Sequence, residues 1–325
     1  MSRHVMFCLG VVALLAATGS AAAEEAYPNR SIKLIVPFAA AGVQDIVARI
    51  VFENVSSSLR QPVIIENRPG AGGTLAMAAA AAAKPDGYTL VISDPRGSLP
   101  AAASLYSNLP YDATKSFAPI AMVGYSGAVL SVGRRFPAAT ITEFIARAKA
   151  HPGEFTYAST GVGTPGHLNG ELFKRLAGID AVHVPYRSVS QGVTDLMESR
   201  VSFWISPVAT VLPQISEGYL RALAVAARTR LSELPDVPTM LEAGNWDYDA
   251  STAYAFFSPS GTPPEIIATL QDAIHAAVSM PEVRRRLMTA GVNTDFAGPE
   301  VVRSIVIERK AQWAEVIKAS GIRLD

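Results

Sequence analysis

The sequence predicts an α/β protein of two lobes, each a mostly parallel sheet flanked by helices, with a hinge between them. Three observations predict it. Strand-like and helix-like runs alternate along most of the chain. The alternation falls into two blocks that meet near residue 126. A tail after residue 245 is mostly amphipathic helix and has little sheet of its own to cover.

The elements justify this in order. SIKLIVPF is rich in β-branched residues and ends in small residues that turn the chain. DIVARIVFENVSSSL has helical spacing, with Ile46, Val47, Ile50 and Val51 as an apolar stripe. PVIIENR reads as a strand, GTLAMAAAAAAK as an alanine-rich helix closed by Pro85-Asp86-Gly87, and YTLVIS as a third strand. This β-α-β-α-β order argues for a parallel sheet. The second block repeats it. AVLSVG, FTYAST, AVHVPY, VSFWISP and LRALAVAA are strand-like. ITEFIARAKAHPG, HLNGELFKRLAG, SQGVTDLMESR and VLPQISEG are helix-like. Beyond Asn245, a β-like run from Tyr254 to Phe257 precedes three helices. Pro263, Pro281 and Pro299 sit near their starts, where a missing N–H costs little. The first block is short for a free-standing unit, so the economical arrangement returns the tail to it. Lobe 1 is then 24–125 with 246–325, lobe 2 is 126–245, and the crossings near Tyr125 and Tyr248 form the hinge.

The N-terminus reads as an export signal: Arg3, an apolar stretch from Val5 to Ala17, then Ala21-Ala22-Ala23 with a cut after Ala23. The alternative is a membrane anchor, but the apolar core is short for a span of about 20 residues. Cys8, the only cysteine, lies in this segment, so residues 24–325 contain neither disulfide nor thiol. Removing Arg3 from the 28 Lys+Arg leaves 27 against 28 Asp+Glu, a formal charge of −1. That balance gives no footprint for nucleic acid or an anionic membrane surface. With 49% apolar and 17% charged residues, the chain has enough material for a substantial core.

Three strand-to-helix turns carry the candidate chemistry, because ligands of open α/β sheets bind beyond the carboxyl ends of strands. In VPFAAAGVQD, Phe38, Ala41, Gly42 and Val43 form the turn and Asp45 reads as the N-cap of the next helix. The turn's N–H groups and the helix dipole suit an anion. In STGVGTPGH, Gly161 and Gly163 allow close backbone approach, and Ser159, Thr160 and Thr164 add hydroxyls. Gly161, Gly163 and Gly166 also spell G-x-G-x-x-G, the dinucleotide fingerprint. Pro165 removes an N–H inside it, and Asp180 precedes the next strand rather than ending it. An exported chain also meets no maintained NAD pool. A small carboxylate or a plain tight turn fits better, and no cofactor is expected. His167 and Glu171 are four apart and suit a local hydrogen bond near the helix start better than a metal. In SDPRGS, Ser93 ends a strand and Arg96 is either a solvated loop arginine or a bidentate carboxylate holder. VPYRSVSQ is the matching loop of lobe 2, where Tyr186 and Ser188 can face the cleft. No G-x-S-x-G elbow occurs.

Several of these segments together resemble one known family. They are YPNRSIKLIVPFAAAGVQDIVAR, VIIENRPGAGGTLAMAAAAAAKPDGYTLVIS, FTYASTGVGTPGHLNGELF, HVPYRSVSQGVTDLM and LRALAVAARTRLSELPDVPTMLEAG. The chain resembles the substrate-binding proteins of tripartite tricarboxylate transporters, the Bug-type receptors. The resemblance implies a type II-like, two-lobed periplasmic binding protein and not an enzyme. It would act as a monomer that closes on a small organic carboxylate and serves membrane transporter subunits or, in some cases, a signalling partner. It also implies that the ligand carboxylate lies between Phe38–Asp45 and Ser159–His167, with residues after the third strand and around Tyr186 lining the pocket. A secreted hydrolase acting on a carboxylate ester is the competing class. Three departures from the family pattern stand out. Ala41 replaces the first of two adjacent glycines, so a positive φ there is costly. Ser188 and Gln191 stand where Gly and Pro are usual. Arg96 is bulkier and more charged than usual, which suggests a second anionic group on the ligand.

Overall fold

The computed structural model describes residues 27–244 and 248–324. The expected export signal lies outside the described residues.

Lobe 1 begins with β1 (Ile32–Val36), α1 (Val43–Leu59), β2 (Val63–Asn67), α2 (Thr74–Ala81), β3 (Thr89–Ser93), α3 (Ser98–Leu105) and β4 (Phe117–Ser126). Lobe 2 follows as β5 (Ala128–Gly133), α4 (Ile141–Ala150), β6 (Phe155–Ser159), α5 (Pro165–Ala177), β7 (Ala181–Pro185), α6 (Val189–Met197), β8 (Phe203–Pro207), α7 (Val208–Ser216), β9 (Leu220–Ala226) and α8 (Met240–Gly244). The chain returns through β10 (Thr252–Pro259), α9 (Pro264–Ser279), α10 (Pro281–Thr289), β11 (Asn293–Ala297) and α11 (Pro299–Ser320).

One sheet runs β11-β4-β10-β3-β1-β2 and the other β7-β6-β8-β5-β9. Both are mixed rather than mostly parallel. β1 is parallel to β2 and β3, and β6 to β7 and β8, whereas β10, β11 and β5 pair antiparallel. For β5 and β10 the reason is the hinge: each enters a lobe at a crossing and runs against the βαβ strand beside it, while β11 adds antiparallel to the edge of β4. Gly127 alone separates β4 from β5, and the second crossing runs from Ala226 to Thr252.

Each sheet is covered on both faces. In lobe 1, α1, α9 and α10 bury Val51, Phe52, Ile274 and Leu287 on one face. α2 buries Ala76, Met77 and Ala80 on the other, so the poly-alanine run is a close-packed helix. In lobe 2, Phe144 of α4 is fully buried and sits edge-on to Phe155 and Phe203. α6 and α7 cover the opposite face with Leu196 and Val211. α11 serves both lobes. Val302 and Val306 join the lobe 1 core, while Trp313, Val316 and Ile317 join the core of lobe 2.

The return crossing is anchored electrostatically. Asp249, 4% exposed at its side chain, accepts from Arg96 Nη1 at 3.1 Å and faces Arg309 Nη2 at 3.7 Å. Arg96 also lies over the Tyr125 ring, 5.6 Å from its centroid. The crossing is thus tied to the β3–α3 loop, to the end of β4 and to α11.

Candidate functional site

The GVGTPG loop follows β6 and opens α5. Gly161 has φ 130° and Gly163 φ 74°, values a side chain rarely tolerates. A Cβ on Gly163 would also stand 2.2 Å from Leu324 of the C-terminal tail. Thr164 is the N-cap and Pro165 the first helical residue. The first intrahelical bond is Leu168 N to Thr164 O at 3.0 Å. The N–H groups of Gly166 and His167 precede it and are left for a ligand or water.

Buried polar side chains hold the loop from behind. The Ser159 hydroxyl accepts from Gly161 N (3.0 Å), bonds Gly161 O (3.0 Å) and meets His183 Nε2 at 2.6 Å. His167 Nδ1 accepts from Gly163 N at 3.0 Å, and the His167 and His183 rings stack 3.8 Å apart. The local bond expected of His167 is therefore present. Glu171 instead accepts from Tyr157 Oη (2.6 Å) and Lys174 (2.9 Å). Thr164 Oγ1 donates to Gly161 O at 2.7 Å. Ser159 and His183 sit as a nucleophile and base would, but Ser159 is fully buried and its hydroxyl is spent on the loop.

Both imidazoles are kept neutral. Burial first, and then His167 beside it, push His183 down to about 4. Burial lowers His167 as well. A folded-state value below the unfolded one means that these groups support the fold above about pH 6.5. That support is lost as pH falls through the window toward 4. Asp94, pushed up to about 6 by burial, works in the opposite direction over the same range. The informative quantity is therefore a difference between proteins. The drop in Tm from pH 7 to pH 4.5 is expected to be smaller in His183→Gln than in the parent, as read by calorimetry. Equal drops would remove His183 as a titrating support.

Beside the loop lies a cavity of about 220 Å³. Thr160, Pro165, Gly166 and Asn169 line it from the β6–α5 side, Trp204, Ser206, Pro207 and Thr210 from β8 and α7, and Ala128, Ala250 and Thr252 from the two crossings. Ser206 is 2% exposed, and its hydroxyl has no partner. A buried hydroxyl without a bond is costly, so this one is set to meet a ligand or water. Pro207 caps α7, whose first turn adds orphan N–H groups on the same side. Asn169 Nδ2 bonds Ala250 O at 3.3 Å and ties α5 to the return crossing.

The lobe 1 turn lies apart from this cavity. Phe38 is half-buried, Ala39 to Gly42 are exposed, and none of them lines it. The N-cap of α1 is Gly42, not Asp45. Asp45 is the third helical residue and reaches back to accept from Ala41 N at 2.9 Å, while Arg49 (2.9 and 3.0 Å) and Asn67 (3.0 Å) donate to it. Burial would raise Asp45, but these bonds outweigh it and hold the carboxyl low. The Ala41 N–H is spent on this contact rather than left for a ligand. Ala41 does adopt positive φ, 66°. Ala41→Gly is thus expected to stabilise the protein by about 0.5–1 kcal/mol in urea unfolding, the relief of left-handed strain exceeding the added chain entropy. A loss of stability would contradict the strain.

Three further candidates have structural partners. Arg96 is paired with Asp249 and lines a separate groove with Arg228 and Arg309. Tyr186 is 7% exposed, donates to Asp195 at 3.1 Å and lies in the lobe 2 core. Ser188 caps α6, accepting from Gln191 N at 3.4 Å. Ser93 is buried at the end of β3, beside Pro37 and Tyr111. Trp204, Ser206, Thr210 and Asn169 escape the sequence reading. The signal available for the first two was VSFWISP itself, one more strand running into a helix, with Thr210 in that helix's first turn.

A family model described as tripartite tricarboxylate transporter family receptor matches residues 47–322. The chain belongs to that family. It is 34% identical to protein BugT of Bordetella pertussis over 97% of this chain and 98% of that one. Among solved structures, the periplasmic binding protein BugD superposes with a TM-score of 0.74 at 30% identity, covering 92% of this chain and all of that one. An R. palustris protein with adipate gives 0.76 at 31%, with the same coverage. MatC of Rhodopseudomonas palustris with bound malate gives 0.74 at 32%, covering 90% of this chain and all of MatC. The receptor family is therefore one of solute-binding proteins and not of enzymes. The two-lobed α/β architecture is shared with those structures. Among the described residues, no helix is long and apolar enough to cross a membrane.

Proposed function

We propose that the chain is a periplasmic receptor that captures a small organic carboxylate between its lobes and delivers it to a tripartite-type membrane transporter. One observation carries the reading: the unpartnered, buried Ser206 hydroxyl shares a cavity with the first turns of α5 and α7. Orphan N–H groups at two helix starts and a spare hydroxyl suit a carboxylate, which accepts several hydrogen bonds and is favoured by the dipoles. The malate and adipate complexes of related receptors support the same ligand class. In this reading Thr160, Gly161, Gly163 and Thr164 shape the lobe 2 half. Closure brings Phe38, Ala41, Gly42 and Val43 over it, and the ligand shifts a pre-existing equilibrium between open and closed forms. The hydroxyl of Ser159, the imidazole of His167 and the carboxylate of Asp45 act behind the two loops. Ser93, Arg96, Tyr186 and Ser188 support their own lobes.

A thermal-shift screen of residues 24–325 against mono-, di- and tricarboxylates tests this. At least one class is expected to raise Tm in proportion to the logarithm of its concentration once it exceeds Kd. Stabilisation by none of them, with turnover of a carboxylate ester, would replace the receptor by a hydrolase.

A further inference from the structure

We propose, resting on the carboxylate-receptor reading above, that Leu324 is a positioning residue for the binding site: it sets the GVGTPG loop and ties that loop to lobe 1. Leu324 follows α11 and belongs to no regular element. Its side chain packs directly on Gly163, where an added Cβ would run into Leu324 Cδ1 and stand 3.0 Å from Cγ. Its backbone N–H donates at 2.8 Å to the carbonyl of Leu105, the last residue of α3. One residue thus touches the ligand loop of lobe 2 with its side chain and lobe 1 with its backbone. The tether that brings it there is fixed. Gly321 closes α11 with φ 67°, its N–H donating to Ile317 O at 3.0 Å. Ile322, 8% exposed, is sunk in the lobe 2 core, and Leu324 packs against the same core.

The loop needs such a support. Gly161 and Gly163 both take positive φ, and Val162 between them is 49% exposed. Glycine has more conformational freedom to lose than any other residue, so a tip of this kind keeps one shape only where neighbours fix it. Gly163 is fixed twice: His167 Nδ1 accepts its N–H at 3.0 Å, and Leu324 packs on it. Gly163 immediately precedes Thr164, the N-cap of α5. A shift at Gly163 therefore moves the Gly166 and His167 N–H groups offered to a carboxylate. A displacement of about 0.5–1 Å is enough to spoil such a constellation. Leu324 does not line the cavity, so it acts through Gly163 rather than on the ligand.

Amide hydrogen exchange, followed by NMR on residues 24–325 without added ligand, tests the positioning directly. In Leu324→Ala the Gly163 amide is expected to exchange at least tenfold faster relative to amides of β6 and β8. A Gly163 rate that rises only in step with those strands would reduce Leu324 to ordinary core packing and overturn the proposal. Malate, adipate and citrate are then titrated into parent and variant by calorimetry, below the melting range of both. Whichever binds the parent tightest is expected to bind Leu324→Ala at least fivefold more weakly. Leu324→Met, which restores the volume, is expected to recover most of both losses. Affinity in Leu324→Ala within about twofold of the parent would overturn the claim that the contact serves the site. If the parent binds none of the three acids, that counts against the carboxylate receptor itself, while the exchange result still decides whether Leu324 sets the loop.

Discussion

Asp249→Ala is expected to cost about 3–5 kcal/mol of folding stability, the range for removing one partner of a buried ion pair. Asp249 is 4% exposed at its side chain and faces Arg96 and Arg309, themselves 15% and 10% exposed. Its loss leaves two largely buried guanidinium groups without the carboxylate they share. Arg228, 4.0 Å away, is 68% exposed and returns to water at little cost. Urea unfolding measures the loss, and the double variant with Arg96→Met supplies the control. If the penalty is chiefly the unpaired charge, the double variant is expected to recover part of it. A single-variant loss below about 1 kcal/mol would class the cluster with ordinary surface pairs. The pairing also ties the return crossing to lobe 1, so the same variant is expected to change ligand affinity without touching the cavity.

Ser159→Ala is the second large effect, and it falls on the loop. The hydroxyl bonds Gly161 N, Gly161 O and His183 Nε2, all within 3.0 Å. Removing it strands polar groups in a buried setting, which costs about 1–3 kcal/mol. The larger consequence is for binding, because Gly161 and Gly163 then lose part of what holds their positive φ. Affinity for whichever carboxylate stabilises the parent is expected to fall at least tenfold by titration calorimetry, at a temperature where the variant is still folded. Unchanged affinity would make Ser159 a residue of the core alone.

Much of the architecture was legible because alternation and punctuation agree locally. IKLIV, VIIEN and TLVIS each precede a turn and a helical stripe, and these became β1 to β3. Elements without such signals were missed. β4, FAPIAMVGYS, is buried along nearly its whole length and shows no period of two. α3, SLPAAASL, has a proline in its first turn and little amphipathic pattern. β11, NTDFA, is short and polar. The site was legible where a loop is contiguous, as in STGVGTPGH. It was not where partners meet through space. Arg96 and Asp249 are 153 residues apart, so the sequence offered Arg96 as a free cation. The two histidines behind the loop come from α5 and β7 and meet only when the strands are in register. Asp45 was misplaced by three positions because an acid near a helix start caps equally well from the third residue by reaching back to an earlier N–H.

The central claim is that the two strand-to-helix loops close on one ligand, and an interlobe distance tests it most directly. Cys8, the only cysteine, precedes the expected cut after Ala23, so labels can be placed at will in residues 24–325. Leu75, 55% exposed in α2, and Val162, 49% exposed in the GVGTPG loop, stand on opposite lobes. Spin labels at Leu75→Cys and Val162→Cys report the separation by pulsed electron resonance. With a carboxylate shown by calorimetry to bind, the distance distribution is expected to shorten and narrow. A distribution unchanged at saturation would contradict closure and leave a receptor that binds on one lobe alone.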